Sequence, residues 1–132
     1  MYTIRFQPER SLLDIAWHSI FLPDQVPEYA QQCLRQFLAE GLKPGYLLRM
    51  DMRRSAVQPR DTLESFAHNF RDFPKASRIA VVTASALQRM QVLRVMTQPY
   101  LRVFDDADSA LDWLLGDDAS GPAEEGTNAG NA

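Results

Sequence analysis

Two pairs of residues have the types and spacing to hold an anion. Arg53 and Arg54 follow a short apolar segment that ends at Asp51, while Thr83 and Ser85 close a second such segment and open a helix. In open α/β sheets, ligands gather where strands give way to helices, because free backbone N–H groups there attract negative charge. An anion or a phosphorylated partner is the chemistry these four residues suit; arginines on a solvated loop are the plainer account. No glycine-rich phosphate loop supports them, since Val82-Thr83-Ala84-Ser85 lacks glycine altogether.

The other reactive side chains point away from catalysis. His18 and His68 are the only histidines, and neither has a second His or a Cys and carboxylate cluster at metal-ligand spacing. His68 adjoins an apolar helical stripe, where a boundary histidine is the ordinary case. Cys33, the single cysteine, falls among Ala30, Leu34 and Phe37 and reads as a core thiol with nothing nearby to activate it. Asp105, Asp106 and Asp108 resemble a cation site until their position is considered. They sit at the start of a helix, where capping and the helix dipole already favour acids. No metal, no cofactor and no catalytic set is expected.

Hydrophobic periodicity supplies the elements that carry these residues. Tyr2 to Gln7 alternates with Tyr2, Ile4 and Phe6 on one face; Pro8-Glu9-Arg10-Ser11 breaks it and Leu12 to Trp17 returns as a hairpin partner. His18 to Leu22 extends that strand or adds another. Trp17, Phe21 and Leu22 there form either a partly exposed apolar patch or core. A helix near Gln25 to Glu40 repeats Val26, Ala30, Cys33, Leu34, Phe37 and Leu38 at three- and four-residue spacing.

Gly41 stops that helix, and Tyr46 to Asp51 is the next strand. Asp61, with Glu64 three residues on, has the form of a capping box opening a second helix that buries Leu63, Phe66, Ala67 and Phe70. Ile79 to Thr83 reads as a strand covered on both faces, and Ser85 caps a third helix through Met96. Tyr100 to Phe104 is the last strand. Asp105 or Asp106 caps a final helix with Ala107, Ala110, Leu111 and Leu114 inward. The order β-β-α-β-α-β-α-β-α demands right-handed crossovers and a mixed, largely parallel sheet, hence the α/β class.

Composition bounds the rest. At 132 residues, 45% hydrophobic and 23% charged, the chain suits one domain with its own core. The formal charge of -3 owes to Asp117, Asp118, Glu124 and Glu125, so the body carries 14 basic against 13 acidic residues. No basic stripe supports nucleic-acid binding. Residues 116–132 read as a disordered acidic tail after a domain over residues 1–115. One cysteine excludes a disulfide framework. With no secretory signal and no apolar run long enough to span a bilayer, a cytoplasmic protein is expected.

The segments Arg78-Ile-Ala-Val-Val-Thr83, Ala86-Leu-Gln-Arg-Met-Gln91, Leu101-Arg-Val-Phe-Asp105 and Ala110-Leu-Asp-Trp-Leu114 resemble the SpoIIAA-like family, whose members look like STAS domains. The resemblance implies a single-layer mixed sheet with helices packed mainly on one face. It also implies a regulatory protein-interaction role of the kind anti-sigma-factor antagonists have. In STAS proteins a D-S-[ST]-G motif holds a phosphorylated serine. This chain has no such motif: Asp51 matches the strand-end Asp, Asp61-Thr62 is the nearest counterpart, and Ser55 lies earlier in the loop. Thr62 is then the candidate phosphoacceptor, and a phosphate at a helix N-terminus is electrostatically favoured. The same broad family is similar to lipid-binding CRAL-TRIO domains, which keeps an apolar ligand in view.

Three functions follow. The first is a non-catalytic binding module for a protein partner, acting through the second helix and a surface of Arg53, Arg54, Ser55, Asp61, Thr62, Thr83 and Ser85. The second is a carrier or sensor with a small apolar ligand between helices and sheet, lined by Phe66, Phe70, Met90 and Met96. The third is an enzyme, for which no converging polar set is legible. The partner's identity and the oligomeric state are not written in the sequence.

Overall fold

In the computed structural model, which describes residues 2–55 and 58–116, the chain opens with a hairpin. Strand β1 (Tyr2–Gln7) pairs antiparallel with β2 (Leu12–Trp17), from Tyr2 opposite Trp17 to Gln7 opposite Leu12. Between them a single 3₁₀ turn over Pro8–Arg10 closes on Ser11, whose φ of 51° lets its N–H donate to the Pro8 carbonyl at 3.0 Å. Then come α1 (Val26–Ala39), β3 (Tyr46–Asp51), α2 (Arg60–Asn69), β4 (Ala76–Val82), α3 (Ala86–Val95), β5 (Leu101–Phe104) and α4 (Ala107–Leu115). The predicted order of elements is the observed one.

The strands lie in the order β1-β2-β3-β4-β5, and all pairs after the hairpin are parallel. A spatial order that repeats chain order has a consequence for the helices. Each crossover of the same hand steps the same way, so all the connecting helices land on one face. Val26, Tyr29, Cys33 and Phe37 of α1, Phe66 of α2 and Val92 of α3 accordingly share a core with Leu13, Ile15, Met50, Ile79 and Val81. The opposite face is left to α4, where Ala110 and Leu114 cover Leu12, Ala80 and Val82. The expected mixed, largely parallel sheet with helices mainly on one face is therefore what the chain forms. On the α4 side, Arg49 bridges to Asp14, its register partner on β2, through two hydrogen bonds of 2.9 and 2.7 Å, and donates a third to the Ala107 carbonyl.

Several details differ from the sequence reading. His18 to Leu22 adds no strand; Trp17 and Phe21 are buried and only Leu22 of that trio is exposed. On α1 the buried row is Val26, Tyr29, Cys33 and Phe37, while Leu34 (39% exposed) and Leu38 (65%) face solvent. Both rows have helical spacing, and the larger Tyr29 ring takes the inward one. The second helix starts at Arg60 after an extended Pro59, so Asp61 lies inside the first turn. Its carboxylate accepts from the Thr62 N–H, and Glu64 pairs with Arg60 at 3.6 Å instead of completing a capping box. The other caps are as expected: Ser85 accepts from the Gln88 N–H, and Asp106, not Asp105, accepts from the Ser109 N–H. The tail expected over 116–132 lies, except for Gly116, outside the described residues.

Candidate functional site

The anion site expected at the carboxyl edge of the sheet is largely spent on itself. Asp51 takes both Arg53 guanidinium contacts, at 3.0 and 2.8 Å, as well as the Arg53 N–H at 3.0 Å. Partial burial pushes the Asp51 carboxyl up, but those Arg53 hydrogen bonds outweigh it and hold the carboxyl below its ordinary range. Asp106 and Asp108 add negative charge within reach of Arg53. An incoming anion would meet three carboxylates here.

The hydroxyls fare no better. Thr62 is fully buried, and its Oγ1 donates to the Phe21 carbonyl at 2.8 Å. Ser55 is buried and donates to the Met52 carbonyl at 2.9 Å; Thr83 is buried beside β5, its N–H donating to Phe104. Of the seven residues assigned to one surface, Arg53, Arg54, Asp61 and Ser85 are exposed, while Ser55, Thr62 and Thr83 are turned inward. Burial turns Ser55, Thr62 and Thr83 away from that surface, and the Ser55 and Thr62 hydroxyls meet backbone carbonyls that need donors.

Three glutamines that carried no sequence signal tie these loops together. Gln58 accepts from the Phe21 N–H and donates to the Ser19 carbonyl; Gln91 accepts from the Gln58 N–H and donates to its carbonyl. Gln88, buried, accepts from the Ala84 N–H and donates to the Met52 carbonyl at 2.7 Å each. A side-chain amide offers the same donor and acceptor pair as a peptide group, so these residues replace a missing strand ladder. They pin α3, as far as Gln91, to the loops at the carboxyl edge.

The C-terminal half of α3 stands off from α2, and a cleft of ≈ 380 Å³ opens between them. Its floor is the sheet, at Ile15, Met50 and Ile79. One wall is Phe66 and Phe70 of α2, and the other is Val92 and Met96 of α3. Trp17 stacks on Phe66 with ring centroids 4.5 Å apart and donates its Nε1–H to the Tyr29 hydroxyl at 3.0 Å. Beside them burial pushes the Cys33 thiol up to about 12, so it is a neutral thiol and a poor nucleophile. Burial also raises Tyr29 and Tyr46, whose hydroxyl donates to the Pro74 carbonyl. The interior is uncharged. Of the residues named in advance, Phe66, Phe70 and Met96 line this cleft. Met90 does not: it lines a separate hollow of ≈ 260 Å³ between α2 and α3.

Catalytic alternatives gain nothing from the geometry. His18 Nε2 lies 2.8 Å from the Thr3 hydroxyl, and His68 is exposed on α2. Among the described residues no group of three or more His, Cys, Asp or Glu is placed to hold a metal, and no helix is long and apolar enough to cross a membrane.

This arrangement defines an α/β domain of SpoIIAA-like topology. No protein-family model and no curated protein matches the chain. Among solved structures it is similar to an anti-sigma factor antagonist from Mycobacterium paratuberculosis, at 12% identity and a TM-score of 0.58, covering 86% of this chain and 94% of that one. It is also similar to an uncharacterized protein of the DUF3478 family with a SpoIIAA-like fold from Shewanella loihica PV-4, at 17% identity and a TM-score of 0.61, covering 86% and 93%. At these identities the likeness is one of fold.

Proposed function

We propose that this chain is a non-catalytic binding module whose primary site is the cleft between α2 and α3, occupied by a small apolar molecule. The observation that carries this reading is the cleft itself. It has the volume of an ordinary ligand site, and aromatic and aliphatic side chains line most of it. A well-packed domain of this size leaves few voids larger than a water. Native mass spectrometry of the protein isolated gently from its own organism tests it. The expected result is a companion of a few hundred daltons that is lost on organic extraction. A bare protein whose melting temperature also ignores apolar additives would defeat the reading.

A protein partner is the second reading, favoured by the outer face of α3. Leu87 and Met90 are each 55% exposed and Leu93 is 48%, a row of large apolar side chains facing away from the core. The fold's likeness to an anti-sigma factor antagonist agrees with such a role. Under this reading Met90→Glu with Leu93→Glu abolishes retention of a companion protein and leaves the fold intact. Retention unchanged by both would remove that face. Thr62→Glu would not test a surface, since it buries a charge where the Thr62 hydroxyl meets the Phe21 carbonyl.

A further inference from the structure

The charges at the mouth of the cleft narrow the ligand class, and this step rests on the cleft being a binding site. The charged side chains that line it are Arg71 and Lys75, with no carboxylate among the lining residues. Both are exposed and sit in the turn between α2 and β4. Thr97 and Gln98 line the same space from the loop before β5. β4 and β5 are parallel neighbours, so these two loops meet at the amino edge of the sheet. One end of the cleft is thus ringed by two cations, a hydroxyl and an amide. Asp72 is the nearest acid in sequence, and its contact with Arg71 is a loose 3.9 Å between exposed side chains. That leaves most of the guanidinium's donors for another acceptor.

The other end is apolar and aromatic. Lining residues run along β3 from Tyr46 through Leu48 and Met50 to Met52 just beyond it, and end beside Trp17. Alternate residues over that length of strand span about 20 Å. A site of that length along one strand suits an extended hydrocarbon chain.

We infer that the cleft takes an extended-chain amphiphile with an anionic head, its chain on β3 and its head between Arg71 and Lys75. A carboxylate or a phosphate monoester satisfies the same donors. Cationic heads are rejected by the two like charges, and neutral heads lose the charge-assisted hydrogen bonds.

Calorimetric titration of the full chain, stripped of bound lipid, with matched twelve-carbon probes below their micelle concentrations tests this. The probes are dodecanoate, dodecyl phosphate, dodecan-1-ol and dodecyltrimethylammonium. One or both anions should bind about tenfold or more tighter than the ammonium. The tighter anion identifies the head. Shortening the better anion to ten carbons should weaken it by about fourfold per methylene. The double variant Arg71→Gln, Lys75→Gln alters two exposed side chains, so it should fold, keep dodecanol and lose the preference for anions. Equal binding of all heads would overturn the head-group inference while leaving an apolar cleft. A preference that survives in the double variant would overturn the assignment to Arg71 and Lys75. No binding of any probe would overturn the cleft as a site.

Discussion

The two edges of this sheet are built on opposite plans. At the carboxyl edge Asp51 is saturated by Arg53, the Thr62 and Ser55 hydroxyls are buried on carbonyls, and three glutamines stitch the loops shut. At the amino edge the helices part, and a cleft of ≈ 380 Å³ reaches inward from Arg71 and Lys75. The rule that open α/β sheets bind ligands at the carboxyl edge depends on a reversal in strand order, which splits neighbouring loops to opposite faces. Here the order β1-β2-β3-β4-β5 never reverses. No crevice opens between diverging loops, and room for a ligand arises instead between two helices on one face.

The contrast is breakable, most forcefully at the cleft wall. Phe66→Ala removes the ring stacked on Trp17 and edge-on to Phe21 and Tyr29. A loss of about 3–4 kcal/mol is expected in urea unfolding. A loss below ~1 kcal/mol would mean the wall carries no packing and the cleft is a loose seam. Next is the clamp at the other edge. Gln58→Ala leaves the Phe21 N–H and Ser19 carbonyl without their side-chain partner, at a cost of about 2 kcal/mol. Hydrogen exchange at the Phe21 amide should quicken with it; unchanged protection would show that the loops hold without the amide.

Smaller still in stability is filling the cleft. Leu48→Trp adds bulk where there is already space, so unfolding should move by less than about 1 kcal/mol while uptake of an apolar ligand falls sharply. A large stability loss with binding intact would place the void elsewhere. The smallest effect belongs to the Asp51 and Arg53 pair, whose side chains are part exposed to water. Asp51 is held below its ordinary value, so its contribution is present above the unfolded value of about 4 and is lost as pH falls through the folded one. Arg53→Gln should flatten that acid slope by under about 1 kcal/mol. An unchanged slope would mean Asp51 contributes no pH dependence of its own.

What was legible beforehand was whatever depends on neighbours in sequence. Alternation gave the hairpin, the β-branched run gave β4, and Ser85 and Asp106 announced their helices because a cap acts within three residues. Asp61 and Glu64 imitate a capping box, which puts the start of α2 two residues late and leaves Thr62 at its tip, when it lies one turn before Phe66 on the buried face. The phase of a helix decides which side chains are buried. Gln58, Gln88 and Gln91 were silent because their partners are backbone atoms of loops far along the chain, and glutamine is ordinarily a surface residue. The cleft was half visible: its aromatic and methionine walls were named, except that Met90 faces outward. The gap itself depends on how far α3 stands from α2, which no local pattern encodes.

The lone helix on the far face has a bearing on how the protein is made. Leu12, Ala80 and Val82 wait for Ala110 and Leu114, which are among the last described residues to leave the ribosome. Until then the nascent sheet shows one apolar face to its surroundings, with no earlier helix among the described residues packed on it. Synthesis that stops short of α4 yields a sheet finished on one side and adhesive on the other. A few late residues thus decide whether the second apolar face is covered or left open to clumping.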